Sequence, residues 1–330
     1  MNQITLSLSC CFLLIGASLT VNAQQKVWVL NQETKEPVPF ATVIYADRLG
    51  TFTNEDGGFV LGKISDSLTV RSIGYKALKI NTSDVKDTIW MRPEAIALDP
   101  VLIPEPSKKF SFSKVAVKTH DHFPKSYLAV AGNEIATLIL GNHHATRSYL
   151  TKLKIPTNAS ILKVRANDKT KAKEVDEQFS SVFQLQFYEN QNGQPGALLG
   201  GDPIVITITQ KDAKNFEIDL SDKKINVPEE GLFVGLLAIG RADPAGNLLA
   251  ENPYEERLTK QGYLRIGLAI RPLFPITEDD ESSHTFMRYR FRVDGDESWS
   301  VYDKYSFSNK NIDIHRALNL GIGYELKNFE

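Results

Sequence analysis

The sequence predicts an all-β chain, in which a small antiparallel β-sandwich is followed by a larger, jelly-roll-like β-sandwich. Short apolar runs rich in Val, Ile, Thr and aromatic residues alternate with polar turns, beginning with "KVWVL" and "FATVIYA". In "FQLQF", Phe183, Leu185 and Phe187 recur at every second position, which places them on one face of a strand. The first third shows no apolar period typical of helices, so we expect strands there.

The second half of the sequence repeats this pattern in longer runs. In "FMRYRFRV", Arg288, Arg290 and Arg292 share one face of a predicted strand. The run "GLFVGLLAI" is apolar at both odd and even positions, which is typical of a central strand covered on both faces. Many such runs in a segment of this length favour two packed sheets.

The chain of 330 residues divides into four predicted segments. A signal peptide spans 1–23, and the first sandwich spans 24–97. A linker spans 98–114, because four prolines stand between Pro93 and Pro106 and proline stiffens an extended chain. The second sandwich spans 115–330.

The signal peptide is predicted from the uncharged apolar stretch "ITLSLSCCFLLIGASL" and the small residues around Ala23, after which we expect cleavage. An uncleaved anchor and a lipoprotein are the alternatives. Both cysteines, Cys10 and Cys11, lie inside this stretch, so the mature chain is expected to have no disulfide. The expectation is an exported protein in the periplasm, associated with the outer membrane or on the cell surface, without a transmembrane span in the mature chain.

The stretch "GTFTNEDGGF" at 50–59 resembles half of a calcium-binding loop. With Gly57 in the place of the loop glycine, Phe52 and Lys63 fall where the strongest carboxylate ligands belong. A turn is therefore favoured, and Asp56-Gly57 suits a hairpin tip between "GTFT" and "GFVL". On this interpretation, Asp56→Ala should weaken the turn and leave calcium affinity unaffected.

This turn belongs to an ordered series of motifs: Pro39-x-Ala41-x-Val43, then Gly50-Thr51-x-Thr53-Asn54 with Phe59, then Gly74-Tyr75. The series resembles the carboxypeptidase-regulatory-like domain of exported Bacteroidota proteins. The resemblance covers roughly a quarter of the chain and implies a prealbumin-like, seven-stranded β-sandwich that serves in structure or docking and carries no catalytic residues. Val43, Phe59, Ile73 and Tyr75 are the predicted core residues of this module.

The sequence contains no recognised catalytic motif and implies no cofactor. A zinc carboxypeptidase needs His-x-x-Glu, and none of the six histidines has Glu three residues later. The serine-hydrolase elbow and the nucleotide-binding loops are also missing from the sequence. The remaining candidate metal ligands are His120 and His122, with His143 or His144 nearby, and separately Asp279 and Asp280 beside Glu281. Surface loops are the alternative interpretation for both groups.

The predicted function is that of an exported, non-catalytic cell-envelope protein that binds a protein or glycan partner through its β-sandwiches. A net charge of −2 gives no basic surface for nucleic acid. Tyr254, Trp299, Tyr302 and Tyr305 could form a platform on which sugars stack, or they could be half-buried packing. The alternative function is a hydrolase for carbohydrate or peptide with its site in the second sandwich.

Overall fold

The computed structural model describes residues 25–46, 49–61, 66–94, 109–119, 126–165, 168–176, 178–200, 203–212, 214–260, 262–279, 282–303 and 317–330. Within these ranges all regular structure is β-strand, apart from two short 3-10 turns at Thr82–Asp84 and Gln210–Asp212. The prediction of an all-β chain is confirmed. The predicted signal peptide and most of the predicted linker lie outside the described residues.

The first sandwich consists of seven strands in two sheets. In chain order these are β1 (Gln25–Asn31), β2 (Thr42–Ala46), β3 (Leu49–Phe52), β4 (Gly58–Leu61), β5 (Ser67–Arg71), β6 (Leu78–Asn81) and β7 (Thr88–Met91). One sheet has the order β4-β1-β7 and the other the order β3-β2-β5-β6. Val43 and Phe59 are buried in the core between the sheets, as predicted, and Tyr75 packs against its margin. Ile73 is not a core residue, since 40% of it is exposed.

The turn at 54–58 is a corner between the two sheets of this sandwich. β3 pairs with β2, whereas β4 pairs with β1, so the prediction of a hairpin between them is wrong. Gly57 has a φ of 71°, which glycine adopts without strain. The side chain that closes the turn is Asn54, whose Oδ1 accepts a hydrogen bond from the Gly58 N–H at 2.7 Å. Asp56 is exposed.

The second sandwich is built on a seven-stranded sheet, which we call the central sheet. Its strands are β10 (Asn133–Ile139), β14 (Ser180–Gln191), β15 (Gln194–Leu198), β16 (Ile204–Thr209), β19 (Leu232–Arg241), β23 (Thr285–Tyr289) and β24 (Ser300–Val301). The order is β15-β14-β19-β10-β23-β24, and β16 pairs with β14. β19 is buried along most of its length between β14 and β10, as its two-faced apolar pattern predicts.

A five-stranded sheet packs on one face of the central sheet. It contains β8 (Phe110–Val115), β11 (Arg147–Pro156), β17 (Asn215–Asp219), β18 (Ile225–Asn226) and β26 (Gly323–Phe329). Leu153 and Ile155 from this sheet share a core with Ile135, Leu185 and Leu236 of the central sheet. The predicted linker ended at 114, but the structure places its last residues in β8, which pairs with β26 at the sheet edge.

The remaining strands form a three-stranded sheet and two hairpins. The sheet contains β9 (Ser126–Val130), β22 (Ala269–Asp279) and β25 (Ala317–Leu320), and the hairpins pair β12 (Ser160–Arg165) with β13 (Asp168–Asp176) and β20 (Tyr254–Thr259) with β21 (Gly262–Gly267). Many neighbouring strands are distant in sequence, as expected of a jelly-roll-like sandwich. Two predicted single strands, "YLRIGLAI" and "LNLGIGYEL", are each divided between two elements.

The two sandwiches contact each other through apolar side chains. Phe52 of β3 packs against Phe291, with ring centroids 5.1 Å apart, and Phe52 and Ile44 join the large core of the second sandwich. A Cβ added at Gly50 would lie 2.6 Å from the Phe291 ring, and one at Gly132 would lie 2.7 Å from it. The glycine of the Gly50-Thr51 motif thus admits an aromatic ring from the other sandwich.

Candidate ligand-binding site at the junction of the sandwiches

A fully buried carboxylate lies on the face of the central sheet opposite the five-stranded sheet. Glu134 of β10 is 0% exposed, although it stands in an otherwise apolar strand. Gly235 of the neighbouring β19 makes room for it, since a Cβ there would lie 2.8 Å from Glu134 Oε1 and 2.7 Å from the Tyr188 ring. An uncompensated carboxylate in such a place would cost several kcal/mol, so its partners decide whether this sheet is stable.

Arginines compensate this carboxylate. Arg288 stands opposite Glu134 in the β10–β23 register, and its Nε donates to Glu134 Oε2 at 2.8 Å. Arg290 follows two residues later, with its NH1 3.8 Å from the same oxygen. Glu297 lies 2.7 Å from Arg290 and 3.7 Å from Arg288, and it also reaches Arg71 of the first sandwich at 3.5 Å. We call these five residues the junction ion network.

Aromatic side chains complete the network on its inner side. The Tyr188 hydroxyl donates to Glu134 Oε1 at 2.5 Å and accepts from Arg288 NH2 at 2.7 Å. The Arg288 guanidinium stacks 4.2 Å from the Trp299 ring centroid. Burial, and then the charge of Glu134, raise the pKa of Tyr188 well above its ordinary value. Burial alone lowers the pKa of Arg288, but Glu134, Tyr188 and Glu297 raise it overall, so this guanidinium stays charged.

A cleft of about 480 Å³, which we call the junction cleft, opens between the sandwiches beside the network. From the first sandwich its lining includes Phe40, Arg71, Ile73 and Tyr75. From the second its lining includes Gln184, Gln186, Val205, Leu237, Arg290 and Glu297. A second cavity, beside Phe187 and Leu199, has about 200 Å³. The junction cleft has a size typical of ligand sites, and its lining mixes apolar with polar side chains.

Two local features show that the cleft is costly to build. Phe40 has a φ of 53°, and a bulky residue rarely adopts the left-handed region outside strained turns or ligand sites. Arg290 Nε is buried and finds no hydrogen-bond partner among the described residues.

The junction ion network has three arginines and two glutamates, so it carries a net charge of +1 at the cleft. An anionic group is therefore the favoured occupant electrostatically.

The candidate metal ligands are not assembled into a site by the described part of the chain. His120, His122 and Asp280 lie outside it, and Asp279 is the last residue of β22. His143 and His144 are exposed in a turn, with their rings 3.8 Å apart. The described residues contain no group of three or more His, Cys, Asp or Glu side chains that could hold a metal ion. Metal binding by His120 or Asp280 stays a prediction.

Of the two alternatives for the aromatic residues, packing fits those that the structure describes better than a sugar-stacking platform does. Tyr254 and Tyr302 are buried, and Trp299 packs edge-on against Tyr188 at 5.3 Å. Tyr305 lies outside the described residues. Tyr254 and Tyr302 lie in the interior and Trp299 is partly buried, which is the packing alternative given by the sequence.

Sequence reasoning missed Glu134, Glu297 and Arg71 as parts of one site. The shared face of Arg288 and Arg290 was a usable signal, because both arginines reach Glu134. Arg292 instead pairs with Asp294 at 2.6 Å. The acid inside "NEIATLIL" was the other signal, but only the pairing of β10 with β23 connects it to the arginines.

Comparisons with known proteins do not identify the chain. No family model matches the sequence, so none supports the resemblance to the carboxypeptidase-regulatory-like domain, and no curated protein matches it. Among solved structures, a DUF3823 family protein from Parabacteroides merdae is 8% identical, and the match covers 66% of this chain and 98% of that one. Its TM-score of 0.16 is too low to support an argument about fold or function. Along the described residues, no helix has the length and apolar character to cross a membrane.

Proposed function

We propose that the chain is an exported, non-catalytic protein of the cell envelope that binds a partner, protein or glycan, in the junction cleft. The observation that carries the proposal is the cleft itself: about 480 Å³, formed by both sandwiches, with Arg71, Arg290 and Glu297 beside apolar walls. Sites at domain interfaces with few convergent polar groups are typical of ligand recognition. Neither sandwich forms this cleft alone.

Export and the identity of the first module belong to the same proposal. The apolar stretch before Ala23 supports export. The two-sheet, seven-stranded arrangement of residues 25–91 and the turn at Asn54–Gly58 support a carboxypeptidase-regulatory-like module. In this proposal the module supplies one wall of the cleft, which is a docking role without chemistry of its own.

The hydrolase alternative has one observation in its favour, because two carboxylates, Glu134 and Glu297, lie in the network. Both are paired with arginines, and Glu134 is fully buried. Glu297 lines the cleft and Glu134 does not, whereas glycoside hydrolysis needs two carboxyl groups on either side of the bond that is cleaved. The geometry therefore favours binding over hydrolysis.

The test compares two valines on the same sheet. Val205 lines the cleft and Val301 does not, and each is 41% exposed. The mature chain, residues 24–330, is screened on a glycan array and by pull-down from envelope extracts, with Val205→Asp and Val301→Asp in parallel. We expect V205D to lose the captured partner and V301D to keep it. Equal capture by both variants, or turnover of a bound glycan or peptide, would contradict the proposal.

A further inference from the structure

We infer that the occupant of the junction cleft is the C-terminal end of a peptide, whose free carboxylate is bound by Arg71 and whose last apolar side chain lies against the cleft wall. This inference rests on the proposed function, because it specifies the ligand of the same cleft. It follows from three features: the donors of Arg71, the composition of the wall and the edge of β16 with which no described strand pairs.

Among the described residues, no hydrogen bond engages the guanidinium of Arg71, which lines the cleft. Its side chain is 26% exposed, and its one ion pair within the described chain is with Glu297 at 3.5 Å. A guanidinium carries five N–H donors in a planar fork that matches a carboxylate. The longer distance to Glu297 leaves Arg71 less engaged than Arg290, which is 2.7 Å from the same carboxylate. Arg71 is therefore the residue of the junction ion network that is best placed to bind an external anion.

The cleft wall beside Arg71 includes a set of apolar side chains. Phe40 and Ile73 come from the first sandwich and Val205 and Leu237 from the second, and Ile73 is 40% exposed. Thr42, Ser72 and Tyr75 line the same cleft, so it also offers hydroxyl groups. An apolar side chain next to a carboxylate matches both the wall and the arginine, and a peptide terminus presents the two together.

β16 offers backbone groups at the same place. Pro203 and Val205, at its start, line the cleft, and among the described strands β16 pairs with β14 alone. Its second edge can therefore add an extended peptide through main-chain hydrogen bonds. The amide of Gln184 lines the cleft from the adjoining β14 and can serve a further peptide group, whereas the side-chain oxygen of Gln186 accepts from the Tyr188 hydroxyl. A peptide uses all three features, which favours it over a free anion.

The test measures binding of short peptides to the mature chain by fluorescence anisotropy. The probes are tetrapeptides labelled with fluorescein at the N-terminus that end in Ala, Val, Leu, Ile or Phe, each as the free acid and as the amide. We expect at least one acid to bind saturably and its amide to bind about tenfold more weakly or worse, because the charge-assisted pair is lost. Equal affinities of acid and amide, or no saturable binding, would overturn the inference.

Testing the acid and amide probes on the Arg71→Gln variant completes a double-mutant cycle. We expect this variant to weaken binding of the acid about tenfold and to make acid and amide equivalent, since the two changes remove one interaction. Arg92→Gln is the matched control, because Arg92 is exposed in the same sandwich and does not line the cleft. The role of Arg71 would be contradicted if amidation still weakened peptide binding to R71Q, or if R92Q weakened binding of the acid as much as R71Q does.

The outcomes separate this inference from the proposed function. If V205D abolishes capture of a partner but the peptide acids do not bind, the cleft is a binding site for something else and the peptide inference fails alone. If oligosaccharides of a hexuronic acid bind in an Arg71-dependent way and the peptides do not, a carboxylate is recognised but its source is a glycan, which also overturns the inference. If V205D and V301D capture the partner equally, the proposed function itself fails.

Discussion

At the scale of single residues, the most consequential finding is that Glu134, buried at 0% exposure, is held by side chains from distant parts of the chain. Arg288, Arg290 and Tyr188 contact it directly, and Gly235 leaves the space that it occupies. Neither the acid in its apolar strand nor the arginines in theirs could be assigned a role from sequence. Each becomes interpretable once the Glu134–Arg288 register is known.

Removing the charge of Glu134 should lower the free energy of unfolding substantially. In Glu134→Gln, the buried guanidinium of Arg288 loses the nearer of its two carboxylates and keeps only Glu297 at 3.7 Å, so we expect a loss of about 3 kcal/mol in the free energy of unfolding. Urea denaturation followed by tryptophan fluorescence measures the change. Glu251→Gln is the control, because Glu251 also binds an arginine, Arg241, by two contacts of 2.6 Å, but at the surface. The control should cost less than about 1 kcal/mol, and equal costs would contradict the buried role of Glu134.

Buried tyrosines should make the protein sensitive to alkali. Burial raises the pKa of Tyr127, Tyr188 and Tyr302, whereas in the unfolded chain these phenols ionise near pH 10. Stability is therefore unaffected by them at neutral pH and falls as pH rises above about 10, by about 1.4 kcal/mol per pH unit for each phenol that stays protonated in the fold.

Tyr127→Phe tests this origin of the alkaline loss. The variant lacks one buried phenol, so its free energy of unfolding should fall less steeply between about pH 10 and 11.5. Urea midpoints measured across this range give the slope for both proteins. An unchanged slope in Y127F would mean that Tyr127 ionises equally in the folded and unfolded chain.

At the scale of elements, strand positions were more predictable than their partners. The alternation in "FQLQF" and the two-faced run in β19 identify β14 and the centre of the sheet correctly. The turn at Asn54–Gly58 was also placed correctly, but it joins two sheets instead of closing a hairpin. Local residue preferences determine where the chain turns, whereas the choice of a partner strand depends on long-range contacts that one sequence does not display.

The turn at Asn54–Gly58 gives a prediction at this scale. Gly57→Ala should cost at least about 2 kcal/mol, because φ is 71° and the new Cβ would lie 2.5 Å from the Val29 carbonyl oxygen. Asn54→Ala should cost about 1 kcal/mol through the lost hydrogen bond to Gly58. Asp56→Ala should change stability by less than about 0.5 kcal/mol, because its side chain is exposed.

The expected stability losses thus decrease from Gly57→Ala to Asn54→Ala to Asp56→Ala, whereas the sequence alone predicts that Asp56 determines the turn. Thermal unfolding of the three variants, with and without calcium, measures these losses. A larger loss in D56A than in N54A would mean that Asp56 determines the turn, and a melting shift with calcium that D56A abolishes would mean that the turn binds calcium.

At the scale of the whole molecule, the two sandwiches are joined by an apolar contact and an ion pair with a cleft between them. The sequence predicts both sandwiches and the fold class, but it does not predict the cleft. Ile73 illustrates why: its apolar character indicated a core residue, and only the position of the second sandwich makes it a cleft wall. Arg71 and Glu297 are separated by most of the chain, so their contact at 3.5 Å depends on docking of the sandwiches.

Binding of the partner in the junction cleft is tested by comparing two isoleucines. Ile73 lines the cleft and is 40% exposed, whereas Ile266 lies on β21 outside it and is 38% exposed. Isothermal titration of the captured partner should show that Ile73→Glu weakens binding at least about tenfold and that Ile266→Glu leaves it unchanged, since only the first places a charge against the ligand. Unchanged affinity in I73E, with its melting temperature retained, would contradict the account.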